Sequence, residues 1–265
     1  MSGELTGRTL LVTGTTGIAA ETARMASRSG VRVVVIGIDT ESGESLAREV
    51  GAEGGDCRFL EADVTDPARV AQVVSVCAAD LGRIDALFNV VGISGRRFGD
   101  GPLHECTDEG WDRTFETNVR SMFLMSREVL RRMLLQEPDS DGMRGVLLNM
   151  ASVLAFSPSA RSFATHGYAA SKGAIIAMSR SAAAYYAPHG IRINAIAPGL
   201  VRTPMSRRAQ DDPAIVEYMR VKQPLPGGLL EPGDIASTAL FLLSPSARSI
   251  TGQVISVDGG WTVSA

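Results

Sequence analysis

A tyrosine and a lysine lie four residues apart in the segment YAASK, at Tyr168 and Lys172. The chain has 26 basic residues, nearly all of them arginine, so a lysine at this place is unusual. On a helix this spacing puts both side chains on one face. A nearby ammonium favours the phenolate and lowers the pKa of a phenol, so the pair predicts a general acid–base that exchanges a proton with an alcohol or a carbonyl. The alternative is an exposed helical pair without chemistry.

A second chemical signal is the glycine turn in VTGTTGIAAETA, where Gly14 and Gly17 join an apolar run to a helical pattern. Such a turn can place backbone N–H groups and a helix N-terminus against a pyrophosphate. Glycine in a turn of this kind is equally well explained by backbone geometry alone.

Short apolar runs alternate with amphipathic segments along the whole chain and predict the elements that position these residues. The runs have little polar alternation, as in strands that are buried on both faces of a parallel sheet. They lie at 9–14, 32–38, 57–64, 85–92, 145–152, 191–199 and 253–260. The alternation predicts an α/β fold, a Rossmann-like doubly wound parallel sheet of about seven strands with helices on both faces. With no repeat or linker, we expect one domain over 1–265.

Composition excludes several classes of function. A net charge of −3 and a pI of about 5.7 argue against a nucleic-acid partner. The three cysteines lack metal-type spacing, which favours reduced thiols and no metal site. Without a long apolar run or a leader-like start, we expect a cytoplasmic protein with no membrane partner.

Beyond these physical signals, the chain resembles the short-chain dehydrogenase/reductase family over essentially its whole length. The matching motifs occur in family order: TGTTGIA at 13–19, DV at 63–64, NVVG at 89–92, Asn118 in FETNV, Ser152 in NMAS, YAASK at 168–172, PGLVRTPM at 198–205 and ITGQVISVDGG at 250–260. The resemblance implies an enzyme that transfers a hydride between a nicotinamide cofactor and a small alcohol or ketone. It also implies a homodimer or homotetramer, with the small-residue helix 173–184 in the interface.

The resemblance assigns four catalytic roles. Tyr168 would be the acid/base, and Ser152 would hydrogen-bond the substrate oxygen. Lys172 would bind the cofactor ribose, and Asn118 would complete a proton relay through water. Without the resemblance, Ser152 is equally a strand-end serine that binds backbone, and Asn118 a polar residue that kinks a helix.

Cofactor contacts also follow from the resemblance, with Asp63 and Val64 at the adenine and Pro198 to Thr203 at the nicotinamide carboxamide. The full set implied to bind the cofactor is Gly14, Thr16, Gly17, Ile18, Asp39, Asp63, Val64, Asn89, Val91, Gly92, Tyr168, Lys172, Pro198, Gly199, Val201 and Thr203.

Two departures from the family pattern bear on the cofactor. The glycine loop is one residue shorter than TGxxxGxG, and its last glycine is Ala19. The acid expected after the second strand would align with Gly37, so Asp39 is the nearest carboxylate for the ribose; it could equally be a helix cap. No basic residue lies in the loop or at Ile38, which favours NAD and leaves NADP open.

Three loop segments are expected to form the substrate-binding part of the site. Arg96 and Arg97 could recognise a carboxylate or a phosphate, or they could be solvated or contact another subunit. The Ser152–Tyr168 spacing is longer than usual in the family, so we expect the intervening loop to protrude and shape the pocket. A helical insertion around 204–230 is expected to cover the site. Its Met205, Tyr218 and Met219 would line the site or pack in the core.

These signals favour an NAD(H)-dependent oxidoreductase that interconverts a secondary alcohol and a ketone. An NADPH-dependent 3-oxoacyl-thioester reductase and a non-catalytic nucleotide-binding regulator stay open as alternatives.

Overall fold

The computed structural model of the chain describes residues 5–159 and 162–264. Within them the strands are β1 (Thr9–Thr13), β2 (Arg32–Gly37), β3 (Cys57–Glu61), β4 (Ala86–Asn89), β5 (Gly145–Met150), β6 (Ile191–Pro198) and β7 (Val254–Val257). They form one parallel sheet in the order β3-β2-β1-β4-β5-β6-β7. From β1 to β3 successive strands are added on one side of β1, and from β4 to β7 they are added on the other side. This change of side makes the sheet doubly wound, so the predicted fold class is confirmed.

The helices of the described residues are α1 (Gly17–Arg28), α2 (Thr40–Ala52), α3 (Pro67–Leu81), α4 (Asp108–Phe115), α5 (Ser121–Leu135), α6 (His166–Tyr186), α7 (Arg207–Gln210), α8 (Pro213–Lys222) and α9 (Pro232–Leu243). Buried residues of α1, α2 and α9 pack on one face of the sheet, and those of α3, α5 and α6 pack on the other. Both faces are therefore covered by helices.

Alternation along the strands explains why both faces are apolar. In β1, Leu10 and Val12 belong to the core under α1, whereas Leu11 belongs to the core under α3. Because side chains of a strand alternate between faces, a strand covered on both faces is apolar at most positions instead of at every second one. The seven predicted runs coincide with the seven strands.

Each observed strand ends before its predicted run does. The run at 85–92, for example, leaves the ladder after Asn89. The backbone N–H groups of Val90 and Val91 then donate to Thr13 Oγ1, at 2.9 and 3.2 Å. The last residues of the run therefore form a loop at the carboxyl edge of the sheet rather than more strand.

Helix α3 begins at residues that favour a helix start. Asp66 accepts hydrogen bonds from the N–H groups of Ala68 and Arg69, and Pro67 occupies the first turn of α3. The apolar residues of this helix are buried: Val70, Val73, Val74, Cys77 and Leu81. Between α4 and α5 the chain forms a π-helical turn, Glu116–Arg120, which holds the buried Asn118.

Candidate active site

A cleft of about 770 Å³ runs along the carboxyl edge of the sheet, where β1, β2, β4, β5 and β6 end. This is the edge at which open α/β sheets bind ligands. Fourteen of the predicted site residues line the cleft: Gly14, Thr16, Gly17, Ile18, Asp39, Val91, Gly92, Ser152, Tyr168, Lys172, Pro198, Gly199, Val201 and Thr203.

One end of the cleft, which we call the glycine end, consists of residues 14–19 and 37–39. Gly14 and Gly17 have φ angles of +102° and +56°, so the turn needs residues without a Cβ atom. A Cβ on Gly17 would also lie 3.1 Å from Thr203 Cγ2. The shortened loop therefore still brings the backbone tightly round from β1 into α1.

The N-terminus of α1 opens into the glycine end. Its N-cap residue, Thr16, makes no side-chain capping hydrogen bond, and its first turn holds no acidic residue. Because the first N–H groups of a helix have no intrahelical acceptor, this end carries partial positive charge and free donors. It fits an anionic diphosphate.

The two departures of the glycine loop have a local structural outcome. Ala19 is buried against the core, and its Cβ would lie 3.3 Å from a Cβ placed on Gly14. Gly37 approaches the same turn, because a Cβ there would lie 3.1 Å from Thr15 Cγ2. Gly14 of the turn thus lies against Ala19, and Thr15 of the turn lies against Gly37.

Asp39 both caps a helix and lines the cleft. Its Oδ1 accepts the N–H of Ser42 at 3.1 Å, at the start of α2. Hydrogen bonds from Ser42 hold the pKa of this carboxyl below its usual value. The capping alternative is confirmed. The neighbouring Ile38 is 72% exposed.

Ser152, Tyr168 and Lys172 meet in the middle of the cleft. Ser152 follows β5, and its Oγ accepts the N–H of Leu154 at 3.3 Å. It also forms a side-chain hydrogen bond with Tyr168. Lys172 Nζ lies 5.5 Å from the centre of the Tyr168 ring and donates to Met150 O at 2.7 Å. The helical spacing of α6 thus puts phenol and amine together, as predicted.

The electrostatics of this pair differ from the prediction. Burial raises the pKa of Tyr168 above its ordinary value, and the hydrogen bond with Ser152 acts in the opposite direction. Burial also lowers the pKa of Lys172 to about 7. The predicted lowering of the phenol pKa by the ammonium was wrong for this protein, because desolvation disfavours the charged form of both groups.

Asn118 lies behind the cleft wall rather than in it. Its Oδ1 accepts the N–H of Ile93 at 2.7 Å, and its Nδ2 donates to Ile93 O and Ser171 Oγ, both at 3.0 Å. A Cβ on Gly92 would lie 3.0 Å from Asn118 Oδ1 and 3.5 Å from Lys172 Nζ. The missing side chain at Gly92 therefore leaves space between the amide and the amine.

Three residues that the resemblance assigned to the cofactor do not line the cleft. Asp63 Oδ1 accepts the backbone N–H and the hydroxyl of Thr65 in the loop after β3, and Val64 is buried in the core. Asn89 is buried within β4, where its Nδ2 donates to Ser126 Oγ and Asn149 Oδ1. Their cofactor contacts stay predictions.

The opposite end of the cleft, which we call the arginine end, comprises Arg96, Arg97, Phe163, Arg208 and Trp261. The Trp261 indole donates its N–H to Ser157 O at 3.1 Å and meets the Phe163 ring edge-on at 5.5 Å. Sequence reasoning missed Phe163, Arg208 and Trp261. The only signal for Trp261 was that it follows the DGG motif of 258–260.

The loop between Ser152 and Tyr168 was predicted to protrude, but part of it packs against the protein. Ser159 is buried and its hydroxyl lies 3.2 Å from the Tyr218 hydroxyl on α8, while Phe163 packs on Trp261. Part of the extra length that the prediction concerned, residues 160–161, lies outside the described residues. The described part of the loop folds inward because Phe163 packs on Trp261, whereas Phe156 is exposed.

The segment 204–230 lies over the arginine end through α7 and the residues before it. Met205 lines the cleft, whereas Met219 is fully buried in the core. The buried Gln223 accepts the N–H of Leu200 and donates to Leu200 O and Gly228 O. These bonds fix the far end of the segment to the loop that follows β6.

Several other side chains that could take part in chemistry lie outside the cleft or are buried as thiols. His104 and His166 are exposed and do not line the cleft. Cys57, Cys77 and Cys106 are free thiols, and burial raises the pKa values of Cys57 and Cys77 to about 11. Over 5–159 and 162–264, no cluster of three His, Cys, Asp or Glu side chains could hold a metal. No helix in these ranges is long and apolar enough to span a membrane.

Comparison with known proteins gives consistent matches along the chain. A family model described as enoyl-(acyl carrier protein) reductase matches residues 12–262. Momilactone A synthase of Oryza sativa subsp. japonica is 36% identical over 264 residues, which are 98% of this chain and 92% of that protein. Cyclopentanol dehydrogenase of Comamonas sp. is 32% identical, over 98% of this chain and 99% of that protein.

Among solved structures, a 3-ketoacyl-(acyl-carrier-protein) reductase from Brucella melitensis, complexed with NADH, superposes with a TM-score of 0.85 at 30% identity. The alignment covers 98% of this chain and 100% of that one. The fold as a whole therefore has a counterpart of known structure.

Proposed function

Since the chain belongs to the short-chain dehydrogenase/reductase family, we propose that it is an NAD(H)-dependent enzyme that interconverts a secondary alcohol and a ketone. The observation that carries this proposal is the meeting of Ser152, Tyr168 and Lys172 in the middle of the cleft. A purely nucleotide-binding regulator needs no such group of acid, base and hydrogen-bond donor. The cyclopentanol dehydrogenase relative supports a small alcohol as the substrate class.

The residues of the cleft fit a nicotinamide dinucleotide. Gly14 and Gly17 keep the turn open, and the free N–H groups at the start of α1 suit the diphosphate. Asp39 would accept a hydrogen bond from a ribose hydroxyl at the glycine end. The loop from Pro198 to Thr203 would hold the nicotinamide. A bound cofactor would supply or accept the hydride.

Tyr168 performs the proton transfer in this proposal. In the reduction direction its phenol gives a proton to the carbonyl oxygen and becomes a phenolate, and in the oxidation direction the phenolate oxygen takes the proton of the substrate alcohol. The raised pKa keeps the phenol protonated at neutral pH, which suits proton donation to a ketone. Ser152 Oγ would donate a hydrogen bond to the same substrate oxygen and stabilise its developing negative charge.

Lys172 lies next to Tyr168 and affects its proton transfer through its charge. Its amine lies against Met150 O and the Tyr168 ring, and its pKa of about 7 lets it exist in both protonation states near neutrality. A phenolate formed at Tyr168 would favour the ammonium form. We propose that Asn118, which is close to the amine across Gly92, continues this proton path.

The preference for NAD rests on charge at the glycine end. No basic residue occurs among residues 14–19 or 37–39, and the Asp39 carboxylate would repel a 2′-phosphate. A fluorescence titration with NADH and, separately, NADPH tests this preference, and tighter NADH binding is expected. Tighter NADPH binding would contradict it, and binding of neither would favour the regulator alternative.

Substitution Tyr168→Phe tests the assigned reaction. We expect turnover of secondary alcohols to fall at least about 100-fold, because general acid–base catalysis typically contributes this much or more. NADH affinity should stay nearly unchanged, since the ring is kept. The matched control is Tyr185→Phe, an exposed tyrosine of the same helix, which should retain turnover. Substantial turnover by Tyr168→Phe would remove this residue from the mechanism.

A 3-oxoacyl-thioester reductase is the second candidate, favoured by the superposition on the Brucella melitensis reductase. That protein was solved with NADH, so NADH use alone does not separate the two candidates. Steady-state assays with a 3-oxoacyl thioester and with cyclopentanone do separate them. A much larger kcat/KM for the thioester would favour the second candidate.

A further inference from the structure

Two guanidinium groups meet at the arginine end of the cleft without a carboxylate between them. Arg96 lies in the loop after β4, and Arg208 lies in α7. The Nη2 atoms of Arg96 and Arg208 donate to the same oxygen, Ser162 O, at 3.2 and 3.1 Å. The two side chains therefore approach within two hydrogen-bond lengths of each other.

Neither arginine has an ion-pair partner among residues 5–159 and 162–264, although most arginines of the described chain do. Arg207, the direct neighbour of Arg208, pairs with Asp211 at 3.1 Å, and Arg202 pairs with Glu231 at 2.8 Å. Three arginines line the cleft, and none of them forms an ion pair within the described residues. Arg97 lies over the Phe98 ring, whereas Arg96 and Arg208 share the acceptor Ser162 O.

Both side chains reach solvent, and their positive charges act on each other. Burial lowers the pKa of Arg96, and the charge of Arg208 lowers it further. The negative charge that opposes this effect belongs to Asp100. Asp100 is already engaged, because its Oδ1 and Oδ2 accept the N–H groups of Gly167 and Tyr168 at 2.9 and 2.8 Å. An anion between the guanidinium groups would relieve their repulsion.

The same contacts fix the arginines relative to the reacting groups. Asp100 lies four residues after Arg96 and ties this loop to the backbone of Tyr168. Ser162 belongs to the loop that leads from Ser152 to Tyr168. Apolar walls from Phe163 and Trp261 stand beside the pair. A substrate with a short apolar body could reach from Tyr168 to the arginines.

From this arrangement we infer that Arg96 and Arg208 bind an anionic group of the substrate, either a carboxylate or a phosphate monoester. The substrate of the proposed reaction is then an acidic alcohol or ketone rather than a neutral one, so the inference rests on the proposed function. Each guanidinium has five N–H donors and uses one for Ser162 O, which leaves enough for a bidentate contact.

The primary test measures binding, so that it does not depend on turnover. Isothermal titration calorimetry, with and without NADH, compares cyclohexanecarboxylate with the neutral and nearly isosteric cyclohexanecarboxamide. Cyclohexyl phosphate is the third probe. We expect the better of the two anions to bind at least about tenfold more tightly than the amide, since charge-assisted hydrogen bonds are roughly twice as strong as neutral ones. Whichever anion binds more tightly identifies the group.

Variants then locate the preference. Arg96→Gln and Arg208→Gln should each reduce it, and the double variant should abolish it. Arg207→Gln is the matched control, because it removes one positive charge from the same short helix outside the cleft and should leave the preference intact. Equal binding of anions and amide by the unchanged protein would overturn the inference. Retention of the preference by the double variant would do the same.

A kinetic measurement separates this inference from the proposed reaction. With 3-hydroxycyclohexanecarboxylate as substrate, the double variant should raise KM at least about tenfold with little change in kcat, because uniform binding is lost. If the arginine variants lost thermal stability without a change in anion preference, the two arginines would serve only to hold the loop at Ser162. This result would contradict the inference. Anion preference without turnover of any alcohol would leave the subsite standing and remove the proposed reaction.

Discussion

The glycine end and the arginine end of the cleft are built in opposite ways. The glycine end consists of two short turns, at 14–19 and 37–39, and most of its chemistry is backbone: positive-φ glycines and the first N–H groups of α1. The arginine end consists of side chains from four separate segments, and it is held by contacts such as Arg96 to Ser162 and Asp100 to Tyr168.

This difference indicates where each end is sensitive to change. At the glycine end, Gly14 and Gly17 need the absence of a Cβ atom, but substitutions at exposed positions such as Ile38 should alter ligand affinity more than folding. Contacts between distant segments connect the loops to α6, so substitution of Asp100, which makes the bonds to Gly167 and Tyr168, should change stability and turnover together. The predictions below test this contrast.

The largest effect is expected from Lys172→Met. The variant removes the amine that lies between Met150 O and the Tyr168 ring, and we expect turnover to fall by about 100-fold or more, as for loss of a proton-transfer component. Lys222→Met is the control, because this lysine lies outside the cleft and donates to Ser264 O. Steady-state kinetics of both variants would show whether the effect belongs to position 172 or to any lysine.

The same residue predicts a pH dependence of stability. The folded chain loses the Lys172 proton near pH 7, whereas the unfolded chain keeps it up to about 10.5. The unfolded state therefore binds more protons between these values, and the free energy of unfolding rises with pH, by up to about 1.4 kcal/mol per pH unit. Urea denaturation between about pH 7 and 8.5 should show this slope, and Lys172→Met should remove it.

Above about pH 8.5, two thiols oppose the rise of the free energy of unfolding with pH. Cys57 and Cys77 have folded pKa values of about 11, raised from an ordinary 9.0. Between these values the unfolded state binds fewer protons, so stability falls with rising pH. An unchanged slope in Lys172→Met would mean that other groups cause it.

Asp100→Asn should have an intermediate effect. An amide has only one oxygen, so one of the N–H groups of Gly167 and Tyr168 loses its acceptor, at a cost of about 1–3 kcal/mol. Because the bond is to the backbone of Tyr168, kcat should fall while NADH affinity stays the same. Asp66→Ala, which removes a cap of α3 far from the cleft, should cost similar stability, about 0.5–2 kcal/mol, and leave kcat unchanged. Equal kcat in both variants would contradict the coupling.

The smallest effect is expected at the glycine end, from Ile38→Arg. An added guanidinium would pair with a 2′-phosphate and raise NADPH affinity about tenfold, because a hydrogen bond to a charged group contributes at least about 1.4 kcal/mol. The side chain is exposed, so stability should not change. Titration with both cofactors and with the uncharged control Ile38→Gln checks the result. A large loss of stability would break the contrast between the two ends.

Much of the fold could be predicted because its signals are local. The apolar runs gave all seven strands, and the family resemblance and doubly wound sheet were confirmed. Asp66 and Pro67 marked the start of α3 by themselves. The loops were harder, since Met205 and Met219 have the same residue type and only packing separates a cleft residue from a core residue.

The sequence by itself determined that Tyr168 and Lys172 share one face, because a helical period depends only on spacing. It also determined the glycine turn, where only residues without a Cβ allow the path of the chain. Tertiary structure decided the pKa shifts of the pair, since desolvation depends on neighbours from other elements. It also decided which arginines stand without a carboxylate, because strand order brings together loops that are far apart in the chain.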